Sequence, residues 1–311
     1  MIPRPFIIAG PTASGKTDLA LALAKQIDGE IISVDSRQIY KGLNIGTACP
    51  KGLWQDNNFY VEGIKYYLAD FLPVDKKFDV SLFCSQAQKI ENTAEKPLIF
   101  AGGTGLYLQS YFCGMDDLPP ADEILRKNLS EKTKAELYEE LKKFDPESAK
   151  TIPEGNLHRV MRALEITLLT GKPASSLRKQ TGAKEIPFSR ALFFYINWDK
   201  ELLNRRIEKR TKQIFEPMIE EARAAIKLFG KAACGLNTLG YAQAMQVLEG
   251  KLSRQEALEK IIILTRQYAK RQRTWFRRYK NIISLDIKEE SDFDIPVLCQ
   301  KIIDASKTIL G

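Results

Sequence analysis

Short apolar runs alternate with stretches of helical spacing over the first hundred residues. Phe6-Ile7-Ile8-Ala9 is an apolar run of strand length, and Asp18-Leu19-Ala20-Leu21-Ala22-Leu23-Ala24-Lys25 is rich in strong helix formers. Gly29-Glu30-Ile31-Ile32-Ser33-Val34-Asp35 reads as a second buried strand ending on a carboxylate. Ser81 to Ala94 predicts a helix, and Pro97-Leu98-Ile99-Phe100-Ala101 a third strand running into Gly102-Gly103-Thr104-Gly105. Ser36 to Thr47 is polar and broken by glycine, which predicts a loop with a short helix, while residues 51 to 80 hold few clear signals. Strands alternating with helices imply a parallel sheet with right-handed crossovers, whose ligands sit beyond the carboxyl ends of the strands. Gly10, Asp35 and Gly102 to Thr104 all fall on that edge.

From Met115 the pattern changes. Asp116-Asp117-Leu118-Pro119-Pro120 breaks the chain, and charged helical segments follow, among them Glu123 to Lys143 and Asn156 to Thr170. An apolar strand returns only at Ala191-Leu192-Phe193-Phe194-Tyr195-Ile196. Helices are predicted over Asp199 to Phe229, Tyr241 to Glu249 and Ser253 to Lys280, with a last strand at Ile282-Ile283-Ser284-Leu285. No internal repeat or low-complexity tract is visible.

Gly10-Pro11-Thr12-Ala13-Ser14-Gly15-Lys16-Thr17 fits the phosphate-binding pattern G-x-x-x-x-G-K-[ST] without a mismatch, between a strand and a helix as the motif requires. Glycines let the backbone wrap an anion, Lys16 adds a point charge, and Thr17 can hold Mg2+. The fold class this predicts is α/β: a P-loop NTPase-like parallel sheet flanked by helices at 1–115 and 190–311, with an all-helical insertion at 116–189. The loop calls for a diphosphate or triphosphate and does not name the molecule that carries it. Asp35 has the apolar-run-then-Asp form of a Mg2+-binding strand end, and it is equally placed as a base taking a proton from a nucleophile; as a turn or helix cap with Ser36 it has no chemistry. Gly102-Gly103-Thr104-Gly105 is either a tight turn or a substrate approach with Thr104 hydrogen bonding.

Composition narrows the chemistry. At 311 residues and 44% hydrophobic the chain can bury a large core, in two domains. No apolar run reaches the roughly 18 residues of a membrane span, and no signal-peptide pattern opens the sequence, so a soluble cytoplasmic protein is expected. The five cysteines (Cys49, Cys84, Cys113, Cys234, Cys299) lie far apart and predict reduced thiols. His158 is the sole histidine, which excludes mechanisms needing two and leaves acid–base work to Asp, Glu, Lys or Tyr. The net charge of +8 is concentrated: Arg266, Lys270, Arg271, Arg273, Arg277, Arg278 and Lys280 supply seven charges with no acid between Thr265 and Lys280, so 8 − 7 leaves +1 elsewhere. Arg266, Lys270, Arg273 and Arg277 form one helical stripe, with Tyr268, Gln272, Trp275 and Tyr279 opposite, an arrangement suited to a nucleic-acid backbone. Arg206 and Arg210 share one helix face, as do Arg159 and Arg162.

Six segments together resemble the tRNA dimethylallyltransferases, the bacterial tRNA isopentenyltransferase family: GPTASGKT at Gly10, DSRQIYKGLNIGTACP at Asp35, AGGTGLY at Ala101, RVMRALE at Arg159, Gly240-Tyr241, and TRQYAKRQRTWFR at Thr265. The resemblance implies that Gly10, Pro11, Thr12, Ala13, Ser14, Gly15, Lys16 and Thr17 hold the diphosphate of dimethylallyl diphosphate rather than ATP. It implies attack by N6 of the adenosine 3′ of the anticodon, with Asp35 as base, Thr104 as its hydrogen-bonding partner, and Lys16, Thr17 with Mg2+, and Arg210 on the departing diphosphate. By the same match Asp35, Ser36, Arg37, Gln38, Thr104, Arg126, His158, Arg159, Val160, Met161, Arg162, Asn237, Thr238, Leu239, Gly240, Tyr241, Ala242, Lys270, Arg271, Gln272, Arg273, Thr274, Trp275, Phe276 and Arg277 contact tRNA. The inserted helices clamp the anticodon stem-loop, and a monomer with no membrane attachment is expected. Cys49 replaces a usual lysine, and Tyr66-Tyr67-Leu68-Ala69-Asp70 replaces P-H-H-L-I-D; both departures leave the implied reacting groups in place. The competing readings are an adenine-nucleotide isopentenyltransferase, a nucleoside or nucleotide kinase using the loop for ATP, and a non-enzymatic RNA-binding switch.

Overall fold

The computed structural model describes residues 4–177 and 185–310. In chain order, β1 (Phe6–Ala9) leads through the phosphate loop into α1 (Lys16–Ile27), followed by β2 (Glu30–Val34), α2 (Asn44–Thr47), β3 (Leu53–Gln55), β4 (Asn58–Val61), β5 (Ile64–Tyr67), α3 (Val80–Thr93), β6 (Leu98–Gly102) and α4 (Gly105–Cys113). The chain divides into two compact units, Met1–Cys113 with Lys184–Gly311, and Gly114–Ala183. The second unit contains α5 (Glu123–Ser130), α6 (Lys134–Phe144), α7 (Pro146–Thr151), α8 (Leu157–Thr170) and α9 (Ala174–Leu177). The first resumes with β7 (Leu192–Trp198), α10 (Lys200–Phe229), α11 (Tyr241–Leu248), α12 (Arg254–Phe276), β8 (Ile283–Ile287) and α13 (Ile295–Leu310).

The sheet runs β3-β4-β5-β2-β6-β1-β7-β8, parallel from β5 to β8 and antiparallel across β3-β4-β5. Its central strands are covered on both faces, which is why they read as unbroken apolar runs. Ile8, Ile31, Ile99 and Phe194 turn to one side with Leu19 and Leu23 of α1 and Leu298 and Ile302 of α13. Ile7, Ile32, Phe100 and Phe193 turn to the other with Phe83 of α3, Leu108 of α4 and Phe276 of α12. A separate core joins Phe215, Met218 and Ile219 of α10, Tyr241 and Ala244 of α11, and Ile261 of α12 to Ile39, Tyr40 and Leu43, so the loop after β2 is packed in place.

The meander β3-β4-β5, α4 and α13 lay outside the sequence expectations. The meander β3-β4-β5 fills the stretch that held few signals, because its strands are only three or four residues long. Its turns are Asp56-Asn57 (φ 48° and 60°) and Glu62-Gly63 (φ 51° and 80°), two-residue links with left-handed backbone at both centres as type I′ hairpins require. α13 buries Leu298, Cys299 and Ile302, a stripe of helical spacing. The predicted segment Glu123 to Lys143 is two helices, divided where Thr133 starts α6 with a reciprocal capping box to Glu136. Ile186, within the range assigned to the insertion, is fully buried in the core of the first unit.

Candidate active site

Ala9 of β1 and Val34 of β2 both pair with Gly102 of β6, so the phosphate loop, Asp35 and Gly103-Thr104 leave three adjacent strand ends side by side. The backbones are close enough that a Cβ on Gly102 would lie 2.1 Å from the Val34 carbonyl. In the phosphate loop Ala13 (φ 65°) and Gly15 (φ 80°) are both left-handed. For Ala13 this costs about 1–2 kcal/mol, and the surroundings hold it there. Arg206 Nε donates to the Ala13 carbonyl at 3.0 Å, and Trp198 Nε1 to the Ser14 carbonyl at 2.9 Å. The Arg206 guanidinium itself lies over the rings of Trp198 (4.4 Å) and Phe293 (5.3 Å). Beyond the loop, the first amides of α1 lack intrahelical partners and, with the helix dipole, attract an anion.

Two cations face that anion position. Arg210 donates to the Thr12 hydroxyl at 2.6 Å while its buried Nε has no hydrogen-bond partner. Lys16 Nζ reaches the Pro11 carbonyl at 3.4 Å. Burial lowers the Lys16 pKa to about 8, Asp35 pulling it up and Arg210 pushing it further down. Burial also lowers the Arg210 pKa, against the pull of Asp35. Both cations are thus held at a cost that an incoming anion repays.

Asp35 Oδ1 accepts from the amides of Arg37 (2.8 Å) and Gln38 (3.4 Å), a local turn that fixes the carboxylate at the strand end. Thr104 brackets it: the Thr104 amide donates to the Val34 carbonyl at 3.2 Å, and its Oγ1 accepts from the Ser36 amide at 3.4 Å. Burial pushes the Tyr268 pKa well up, and the Asp35 charge adds to that, so this phenol on the cavity wall stays protonated. Gln272, 5% exposed, accepts from the Thr12 amide at 2.8 Å and donates to the Gly103 carbonyl at 2.9 Å.

The phosphate loop, Asp35, the cations, Tyr268 and Gln272 line a cavity of about 930 Å³. Its wall includes Thr12 to Thr17, Asp35 to Gln38, Arg206, Arg210, Thr238 to Gly240, Tyr268, Arg271 and Gln272. An oxyanion cradle, a carboxylate at a strand end across β6 from it and a hydroxyl beside that carboxylate are what a displacement needs in which a diphosphate leaves as a nucleophile loses a proton.

The "IPP transferase" family model matches residues 38–279. The chain belongs to the IPP transferase family. A second model, "Isopentenyl transferase", matches residues 3–62, which carry the phosphate loop and Asp35. A tRNA dimethylallyltransferase of Elusimicrobium minutum is 52% identical over 289 residues, 90% of this chain and 94% of that one. Among solved structures, the tRNA delta(2)-isopentenylpyrophosphate transferase of Staphylococcus epidermidis superposes with a TM-score of 0.65 at 33% identity, covering 98% of this chain and 99% of that one. The tRNA isopentenylpyrophosphate transferase of Bacillus halodurans gives 0.67 at 29% identity, with 98% and 97% covered.

In this IPP transferase the residues implied in tRNA contact divide by exposure. On α12, Lys270, Arg271 and Thr274 are exposed, as is Arg277 just beyond it; Arg273 and Trp275 are half-buried, and Gln272 and Phe276 are buried. Arg266, which begins the cationic stripe, is salt-bridged to Glu208 at 2.8 Å. Asn237 and Leu239 are exposed, Ala242 is half-buried, and Thr238, Gly240 and Tyr241 are buried. The Tyr241 hydroxyl donates to Glu221 and accepts from the Gly46 amide, so it supports the loop that carries α2. In the helical unit His158 and Arg159 are exposed, Met161 is half-buried and Val160 is buried. Arg126 and Arg162 grip the fully buried Glu165, Arg126 through Nε at 2.8 Å and Nη2 at 2.9 Å. Burial alone would raise the Glu165 pKa, and the two arginines more than reverse it. The two family departures are buried: Cys49 and Tyr66 lie in the core on the side of the sheet that holds Leu19 and Leu23 of α1, and burial pushes both pKa values up.

Tyr268, Trp198 and Phe293 were not among the expected site residues. The first was legible only as an aromatic on the inner face of α12; Trp198 bonds Ser14 from 184 residues away, and the Phe293 ring lies within 2.2 Å of where a Cβ on Gly15 would be.

Proposed function

We propose that this protein transfers the dimethylallyl group of dimethylallyl diphosphate to N6 of the adenosine immediately 3′ of the anticodon, position 37 of its tRNA substrates, releasing pyrophosphate. The observation that carries this reading is Asp35: a carboxylate bracketed by Thr104, one strand away from the phosphate loop and on the wall of the same cavity. N6 forms the new bond to the allylic carbon as the carbon–oxygen bond to the diphosphate breaks, the electron pair leaving with pyrophosphate. The proton lost from N6 passes to the Asp35 carboxylate, with Thr104 holding the nucleophile's other hydrogen-bonding position. Lys16, Arg210 and the amides that open α1 receive the charge that develops on the leaving oxygens. Thr17, a hard oxygen donor in the first turn, suits Mg2+, which takes few protein ligands and completes its shell with phosphate oxygens and water. No group of three or more His, Cys, Asp or Glu among the described residues forms a separate metal site. When bound, the ion neutralises diphosphate charge.

Reaching a base in an anticodon loop requires it to be turned out of its stack, and the protein must grip the surrounding backbone to hold it. The exposed cations of α12 supply that grip. Replacing Arg273 and Arg277 together by Ala is expected to weaken tRNA binding and to reduce the slope of log K against log salt by about 1.5 to 2. A filter-binding titration at several salt concentrations measures it, and an unchanged slope contradicts the phosphate contact.

The Lys16 pKa of about 8 sets a pH dependence. A diphosphate ester is fully ionised above pH 7.5, so any further loss of donor affinity comes from the enzyme. Affinity for dimethylallyl diphosphate is expected to hold from pH 7 to near 8 and then to weaken up to ten-fold per pH unit, as binding must restore the Lys16 proton. Isothermal titration at pH 7.5 and 9 tests this; equal affinities at the two contradict it.

No described helix is long and apolar enough to cross a membrane. We place the enzyme, as a monomer, in the cytoplasm with its tRNA. Pyrophosphate release separates the acceptors: it is expected with dimethylallyl diphosphate plus unmodified tRNA and to be absent with free AMP or ATP as acceptor. Release with the free nucleotide alone favours the adenine-nucleotide reading, and ATP consumption without prenyl transfer favours a kinase.

A further inference from the structure

We propose that Gln272 is a positioning residue of the transfer reaction: its buried amide is the strut that sets the phosphate loop at a fixed distance from the Asp35–Thr104 pair. The proposal rests on the reading of the reaction given above and adds a role to a residue whose sequence position suggested tRNA contact. Two hydrogen bonds carry it. The Gln272 oxygen accepts from the Thr12 amide at 2.8 Å, and its nitrogen donates to the Gly103 carbonyl at 2.9 Å. One partner needs a donor and the other an acceptor, so only one orientation of the amide satisfies both.

The places it joins matter as much as the bonds. Thr12 belongs to the cradle and takes Arg210 on its hydroxyl at 2.6 Å, so Gln272 and Arg210 hold the same residue by its backbone and its side chain. Gly103 precedes Thr104, whose amide and hydroxyl bracket Asp35. Leaving group and base therefore stand on two loops that are tied by one side chain from α12. Gly103 is the residue that admits it: a Cβ there would lie 2.2 Å from the Gln272 nitrogen and 3.0 Å from the Gly10 carbonyl. Gln272 is 5% exposed, which leaves it little surface to offer RNA, while Lys270, Arg271 and Thr274 beside it are exposed. Displacement is sensitive to the alignment of nucleophile and leaving group, and misplacement by about 1 Å can cost 10²-fold in rate.

Gln272→Met keeps nearly the same volume and removes both bonds. At saturating tRNA and dimethylallyl diphosphate, with active sites counted by a single turnover, the rate constant is expected to fall ten-fold or more. The Kd for tRNA and its salt slope are expected to stay within two-fold of the unsubstituted enzyme. A weakened tRNA Kd with an unchanged single-turnover rate overturns the proposal in favour of an RNA contact, and an unchanged rate with unchanged Kd overturns it outright. If Gln272→Met does not fold, Gln272→Glu decides. Its carboxyl can both donate and accept only when protonated, so its rate relative to the unsubstituted enzyme is expected to rise as pH falls, and a pH-independent ratio overturns the proposal. Failure of the underlying reading shows separately, as absence of prenylated tRNA with the unsubstituted enzyme.

Discussion

Asp35→Asn is expected to lower the transfer rate by about 10²- to 10⁴-fold, the range that a positioned general base contributes, while tRNA affinity changes little. The substitution is gentle on the fold. Asparagine keeps the Oδ1 that accepts from the Arg37 and Gln38 amides, so the turn at the end of β2 survives, and Thr104 still binds the Ser36 amide and Val34 carbonyl on either side. What is lost is the capacity to take a proton and the negative charge that faces Lys16 and Arg210. Single-turnover transfer and a gel shift on the same preparation separate the two effects. Loss of tRNA binding with the rate at saturation preserved would make Asp35 a contact residue instead.

Arg210→Ala is expected to reduce transfer by about 10²- to 10³-fold, comparable to removing one donor from a site that stabilises a developing oxyanion. Its folding signature has the opposite sign. Arg210 is a cation whose burial lowers its pKa, beside a buried lysine, with an orphaned Nε. Removing it relieves that repulsion, so the melting temperature of the free enzyme is expected to hold or rise, while the stabilisation given by added pyrophosphate is largely lost. Arg210→Lys restores charge without the planar fork and is expected to recover only part of the rate. A thermal-shift titration with pyrophosphate checks the account, and a shift equal to that of the unsubstituted enzyme would contradict it.

The sheet's central strands were legible because both faces are buried, which turns Phe6–Ala9 and Leu98–Ala101 into unbroken apolar runs and leaves only the buried Ser33 to interrupt Ile31–Val34. The phosphate loop, Asp35 and Thr104 followed from those strands, since each lies one or two residues after a strand end. In the meander β4 and β5 alternate one residue in and one out, as at Phe59, Val61, Ile64 and Tyr66, but over strands too short for alternation to stand out, and β3 is exposed throughout. Charge patterning located α12 as cationic, and Lys270, Arg271 and, just beyond it, Arg277 are exposed. It could not say which cations are already paired, because Glu208, which takes Arg266, lies 58 residues away on α10. Nor does it reveal that Arg126 and Arg162 both hold Glu165, since the sequence neighbour of Glu165 is only one of the two. The supports of the site are the least legible part. Gln272, Trp198 and Phe293 act through contacts spanning 169 residues or more, and a glutamine on a basic helix looks the same whether it faces RNA or closes a loop.

The most direct measurement is nucleoside analysis of tRNA incubated with the purified protein, dimethylallyl diphosphate and Mg2+. After digestion, mass spectrometry is expected to find N6-dimethylallyladenosine in place of adenosine, confined to the nucleotide immediately 3′ of the anticodon and formed in equal amount to the pyrophosphate released. Pyrophosphate or ADP appearing with that adenosine unmodified would contradict the account.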